Sequence, residues 1–176
     1  MSANPSTSTR TKNRAGRTRR TGRRDPLAIT LLKQDHRQVE AWFDEYEQLQ
    51  EDAEKAALFK QIATALKVHT QIEEEIFYPE DRGDVEDDML DEAYVEHDGA
   101  KKLIAEIELM RPSDEFYDAK VKVLGEYIKH HVREEEQPGG IFAQAKRGSE
   151  DLEEMGQRLK ARKEQLMAEY GGPRAH

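Results

Sequence analysis

The sequence predicts an all-α protein: an antiparallel up-down-up-down four-helix bundle with an additional C-terminal helix. Three observations carry this reading. From Asp25 onward apolar residues recur at alternating steps of three and four, the period of one helical face. No stretch alternates apolar and polar residues as a half-buried strand would. Pro and Gly cut the chain into helix-length pieces with short connections, which favours antiparallel neighbours.

The first helix opens at Asp25, a capping residue, with Pro26 suited to the first helical position. Its inner stripe is Ile29, Leu32, His36, Val39, Phe43 and Tyr46. The second runs from about Asp52 to Tyr78 with Leu58, Ile62, Ala65, His69, Ile72, Glu73 and Ile76 inside, and Pro79 and Gly83 close it. The third, from about Val85 to Met110, turns Leu90, Ala93, His97, Ala100, Ile104 and Ile107 inward. Arg111-Pro112 breaks the chain and Ser113 can cap a fourth helix. That helix carries Tyr117, Val121, Leu124, Ile128, His131 and Glu135 until Pro138-Gly139-Gly140 ends it. After Gly148-Ser149 a fifth stretch shows Leu152, Met155, Leu159 and Leu166. It reads as an amphipathic helix packed along the bundle, since a coiled-coil dimer arm would need more heptads. The plan is a basic tail over 1–24, a bundle over 25–147, an amphipathic helix over 148–170 and a frayed end over 171–176.

A chain of 176 residues is about one domain by length. It has no cysteine, which excludes disulfides, thiolate nucleophiles, zinc knuckles and iron–sulfur clusters. No apolar stretch approaches the ~20 residues that span a bilayer. The N-terminus lacks the apolar segment of a secretory signal, so a cytoplasmic protein with no membrane partner is the expectation. The net charge of −9 is unevenly spread. Residues 1–24 hold eight Lys and Arg and no acid, and the remainder carries a large acidic excess. The basic segment has no periodic apolar positions and is expected to be disordered. Lying loosely on its own acidic body is the favoured reading, because no aromatic is interleaved to stack on bases. Nucleic-acid or partner contact is the sharper alternative. Its Arg- and Ser-rich composition also matches a transit peptide, without the amphipathic face.

Two copies of one pattern carry the chemistry. His36 is followed after 33 residues by His69-x-x-x-Glu73, and His97 after 34 residues by His131-x-x-x-Glu135. Residues four apart on a helix share a face, so each pair aims an imidazole and a carboxylate at one point. A core layer of four His and two Glu would be strongly destabilising without compensating cations. The pattern therefore points to a metal site, one expected to hold two ions. His131 rather than His130 is the inner residue, because the His130 stripe passes through Lys120. His130 with Glu134 reads as an outer or solvated pair, and Glu74, Glu75 and Glu136 read as surface charge. Glu40, one turn from His36, is a candidate further ligand or outer partner. Imidazole and carboxylate without thiolate suit Fe, Mn or Zn, and exclude Cu less firmly. Two carboxylates can bridge two ions, leaving open positions for water or a small diatomic molecule.

These residues resemble the hemerythrin-like, or HHE cation-binding, family over roughly Asp25 to Lys146. The likeness rests on Asp35-His36, on His69-Thr-Gln-Ile-Glu-Glu-Glu-Ile-Phe-Tyr-Pro79, on Glu96-His97 and on His130-His-Val-Arg-Glu-Glu-Glu136. The resemblance implies a non-haem centre of two iron ions with oxo or hydroxo and carboxylate bridges. By it, His36, His69, His97 and His131 are terminal ligands while Glu73 and Glu135 bridge. Ferritin-type sites instead carry Glu-x-x-His, which no histidine here satisfies. Oxygen-carrying members have a second histidine one turn after the lone one on the third helix, where this chain has Lys101. The site looks closer to bacterial members tied to nitrosative stress and iron-centre repair. A second departure is Gln137-Pro138-Gly139-Gly140, which interrupts the fourth helix before Ile141-Phe142.

Three functions of different class follow. One is an oxidoreductase-like protein that turns over peroxide or reacts with nitric oxide or oxygen, with Tyr94 and Tyr127 near the ligands. Another is a module, monomeric or homodimeric, that senses or stores oxygen or iron. The third makes the basic tail the working part and the bundle its metal-controlled switch.

Overall fold

The computed structural model describes residues 24–149 and 151–171. The basic tail, apart from Arg24, and the residues after Gly171 lie outside the described part. Its helices are α1 (Leu27–Tyr46), α2 (Asp52–Ile72), a π-helical turn (Glu73–Phe77), α3 (Tyr78–Asp81), α4 (Asp87–Glu108), α5 (Tyr117–Glu136), α6 (Ile141–Gly148) and α7 (Leu152–Gly171). The long helices α1, α2, α4 and α5 form the bundle, with α1 beside α2 and α5, and α4 beside α5 and α2. Nearly every residue assigned to an inner stripe is buried; Ala65 and Ile76 are only partly so.

The core is divided. One apolar cluster joins Leu32, Ile72, Leu90, Phe142 and Leu159, and a second joins Val39, Ile62, Ile104 and Leu124. The polar layer of His36, His69, His97, His131, Glu73 and Glu135 shares the same helices and is as deeply buried as its apolar neighbours. α7 lies along α1, α2 and the π-helical turn, burying Leu152, Met155, Leu159 and Leu166. It is a packed helix of the bundle.

Three helix boundaries differ from the sequence reading. Asp25 makes no side-chain cap; its carboxylate is drawn off to Lys33 and Lys146, and α1 starts behind Pro26. Ser113 does not cap the fourth helix, because residues 111–116 form turns that end at Phe116. Phe116 adopts φ 69°, a left-handed conformation uncommon outside Gly, so α5 begins at Tyr117. Val85 belongs to the core and α4 starts at Asp87.

The interruption after α5 is a tight reversal. A Cβ on Gly140 would lie 2.2 Å from the Glu134 carbonyl oxygen, so only glycine fits there. Gln144 locks the returning α6: its Oε1 accepts from the Glu86 backbone N–H at 3.0 Å and its Nε2 donates to the Gly139 carbonyl at 2.9 Å. The reversal sets Phe142 parallel to the His36 ring, with centroids 5.7 Å apart.

Candidate metal centre

The structure brings all six expected residues into one buried cluster. His36 Nε2 and His69 Nε2 are 3.1 Å apart, and so are His97 Nε2 and His131 Nε2. The glutamates connect these two pairs. Glu73 Oε2 lies 3.2 Å from His69 Nε2 and 3.4 Å from His97 Nε2. Glu135 Oε2 lies 3.3 Å from His36 Nε2 and 3.7 Å from His131 Nε2. Each carboxylate therefore reaches one imidazole of each pair. Both are fully buried, and Glu73 Oε1 and Glu135 Oε2 have no hydrogen-bond partner.

Every inner histidine has its far nitrogen on a carboxylate. Nδ1 of His36 meets Glu136 at 2.8 Å, that of His97 meets Glu74 at 3.0 Å and that of His131 meets Glu96 at 2.8 Å. His69 Nδ1 is 3.4 Å from Asp35. A proton held on Nδ1 by an acceptor leaves the Nε2 lone pair facing inward, the tautomer a metal requires. Each acceptor is itself backed by a basic side chain: Arg37 on Glu136, Lys101 on Glu74, Lys163 on Asp35 and His130 on Glu96. Glu74 and Glu136 are thus histidine partners, correcting their assignment as surface charge. Glu75 does pair at the surface, with Arg162. Glu40 turns to Arg37 and stays out of the cluster.

Charge follows from this arrangement. Burial opposes protonation of His69, but Glu73 and Asp35 outweigh it and raise its pKa to about 10. His131 is raised in the same way by Glu135 and Glu96, against burial. In His97 burial dominates, with His131 adding to it, and the pKa is lowered. Burial resists ionisation of Glu135, yet His131, His36 and His69 hold it well below the usual carboxylate range. The cluster is built to attract positive charge at its middle.

Tyr78 is a member the sequence reading placed only at a helix end. Its Oη donates to Glu135 Oε1 at 2.8 Å and lies 3.3 Å from His97 Nε2 and 3.4 Å from Glu73 Oε2. Burial, then Glu135 and Glu73, push its pKa well above normal, so it keeps its proton. The π-helical turn puts it there: the Tyr78 N–H bonds to the Glu73 carbonyl five residues back, so both residues face inward. Of the tyrosines named earlier, Tyr127 is exposed, and Tyr94 packs on Tyr78 with centroids 5.3 Å apart.

The donors fit a cation. Two nitrogens 3.1 Å apart suit neighbouring ligands at about 2.1 Å from one ion, and the orphaned carboxylate oxygens lack a partner that an ion would provide. The donor atoms fall into two sets, His36, His69, Glu73 and Glu135, and Glu73, His97 and His131, which share Glu73. A helical bundle with a buried His and Glu cluster at its core defines a cation-binding helical module. Residues 27–138 match the hemerythrin HHE cation binding domain family, and the chain belongs to that family. A crystal structure of a hemerythrin HHE cation binding domain-containing protein from Mycobacterium kansasii superposes with a TM-score of 0.66. It is 21% identical, and the match covers 83% of this chain and 94% of that one, a likeness of fold. A protein named DNA nickase from Nostoc sp. is 29% identical over 144 residues, 81% of this chain. This chain spans only 40% of that relative's length. Among the described residues no helix is long and apolar enough to cross a membrane.

Proposed function

We propose that the chain holds two iron ions between His36, His69, Glu73, His97, His131 and Glu135, and reacts with a small oxidant such as oxygen, peroxide or nitric oxide. The observation that carries this reading is the double reach of the two carboxylates, each to one histidine of both pairs. Bound there, a pair of redox-active ions would supply one-electron steps and positions for a small molecule. The protein's share is orientation, exclusion and a buried hydrogen-bond donor. The carboxylates on the Nδ1 atoms fix the imidazoles. A chamber of about 10 Å³ beside the four histidines, walled by Val39, Leu66, Ile128 and Val132, is about the size of one water molecule. It favours a diatomic over a bulky substrate. Tyr78 Oη carries the proton nearest the bridging carboxylates. Lys101 is engaged by Glu74, so no fifth imidazole or substitute donor comes from that position. This supports onward reaction over reversible oxygen carriage.

Metal analysis should find two ions per chain, mainly iron. Anaerobic reduction followed by stopped-flow mixing with oxygen should give rapid oxidation. Reversible uptake of oxygen, released under vacuum, would overturn the reactive reading in favour of a carrier or sensor. A second reading adds nucleic acid as a partner of residues 1–24, supported by their eight basic residues and by the name of the Nostoc relative.

A further inference from the structure

A separate cavity of about 110 Å³ runs beside the centre between α4 and α5. Its lining grades from exposed Glu92 through half-buried Glu96 and Glu134 to fully buried Glu135 and His131. Glu96 and Glu134 also flank His130, whose Nε2 lies 3.1 Å from Glu134 Oε1 and 3.4 Å from Glu96 Oε1. These three side chains offer ligand atoms all within 4.8 Å of one another. Their chemistry, imidazole and carboxylate, matches that of the buried cluster. Glu96 joins the two, because its other oxygen accepts from His131 Nδ1 at 2.8 Å. The inner wall of the cavity includes Glu135, a wholly buried residue of the centre, whose Oε2 lies 3.3 Å from His36 Nε2.

We propose that Glu96, His130 and Glu134 capture a divalent first-row cation at the surface and pass it along this cavity to the buried centre. The inference rests on the reading that the centre binds metal. An ion crossing an apolar wall would lose its hydration without replacement. Here Glu92, Glu96 and Glu134 share the lining with Met89, Ala93 and Ile141 and offer oxygens between the exposed rim and Glu135. Three ligands in a solvated setting hold an ion loosely, and the buried donors compete it away. A ring of acids at the mouth also concentrates cations, raising arrival rates tenfold or more. A surface ion pair would explain His130–Glu134 alone, but it would not require a cavity that ends on a carboxylate of the buried centre.

The test is the rate at which metal-free, full-length protein takes up Co(II), followed by its visible absorption at substoichiometric metal. His130→Ala and Glu134→Gln should each slow uptake by about tenfold and leave the final Co(II) content unchanged. Glu126→Gln, which removes an exposed carboxylate elsewhere on α5, should load at the wild-type rate. Variants loading as fast as Glu126→Gln would overturn the capture site alone. A fall in final Co(II) content in both variants would overturn it too, by making them ligands of the centre. Wild-type protein that takes up no Co(II) would remove the metal reading and this inference together.

Discussion

At the scale of single residues, His69 and His131 stand in different imidazole pairs, and each lies near one of the two carboxylates that connect the pairs. His69→Ala or His131→Ala should lower metal content and destabilise the bundle, and the double variant should bind none. Full occupancy in the double variant would dismiss the centre. His130→Ala should leave equilibrium content intact, its ring being largely exposed. Tyr78→Phe removes the donor to Glu135 Oε1, leaving a buried acceptor unpaired. It should cost about 1–3 kcal/mol in chemical unfolding of the metal-free chain; an unchanged midpoint would mean that the hydrogen bond contributes nothing. Asp81 provides a pH prediction outside the histidine cluster. Burial, helped by Asp84 and Glu80 and opposed by Ser149, raises its pKa to about 6. The unfolded value is about 3.9. The folded chain therefore holds the extra proton between these values. That stability is complete below about pH 4 and lost as pH rises through about 6. Asp81→Asn should gain on the order of 1 kcal/mol above pH 6, with the gain shrinking toward pH 4. A constant difference across that range would absolve Asp81.

Among the elements, the π-helical turn and α7 do work that periodicity alone does not disclose. An uninterrupted α-helix would rotate Tyr78 by roughly 100° relative to its present place over Glu73. Deleting exposed Glu75 would leave Tyr78 four residues after Glu73, a spacing that shares one face of a regular α-helix. The expected outcome is metal content and helix content both retained; a variant that loses its metal would show that the five-residue spacing itself is required. α7 closes one side of the bundle and sends Lys163 to Asp35, the partner of His69. Leu159 is completely buried in this contact. Leu159→Ala should cost about 2–5 kcal/mol, readable by unfolding at low protein concentration. A loss that appeared only at dimer-forming concentrations would instead revive the coiled-coil arm.

For the whole molecule, the separation of charge is the feature with a consequence. Residues 25–176 carry every acidic residue of the chain, and residues 1–24 carry eight basic ones. No apolar residue of the tail belongs to a core stripe, so deleting 1–24 should leave helix content and metal content unchanged. If the tail contacts DNA, affinity should fall steeply with salt, by a log–log slope of about −0.9 for each phosphate neutralised, and vanish on deletion. Tight, salt-insensitive binding, or binding that survives deletion, would remove the tail from that role.

The four bundle helices, the placement of α7 against them and the six inner donors were legible because periodicity reports which face a helix buries. A buried face that carries His and Glu in register across two halves leaves little other chemistry. Tyr78 was not legible, since a spacing of five joins one face only if the helix widens locally. Glu74, Glu136 and Glu96 were equally hidden: a glutamate-rich stretch looks solvated until the neighbouring helices show which carboxylates meet an imidazole. The sequence by itself determined which side chains enter the core, because that depends on position along one helix. The tertiary structure decided which of them touch, which carboxylate reaches both histidine pairs and which acids back each ring, because those are distances between helices brought together by packing.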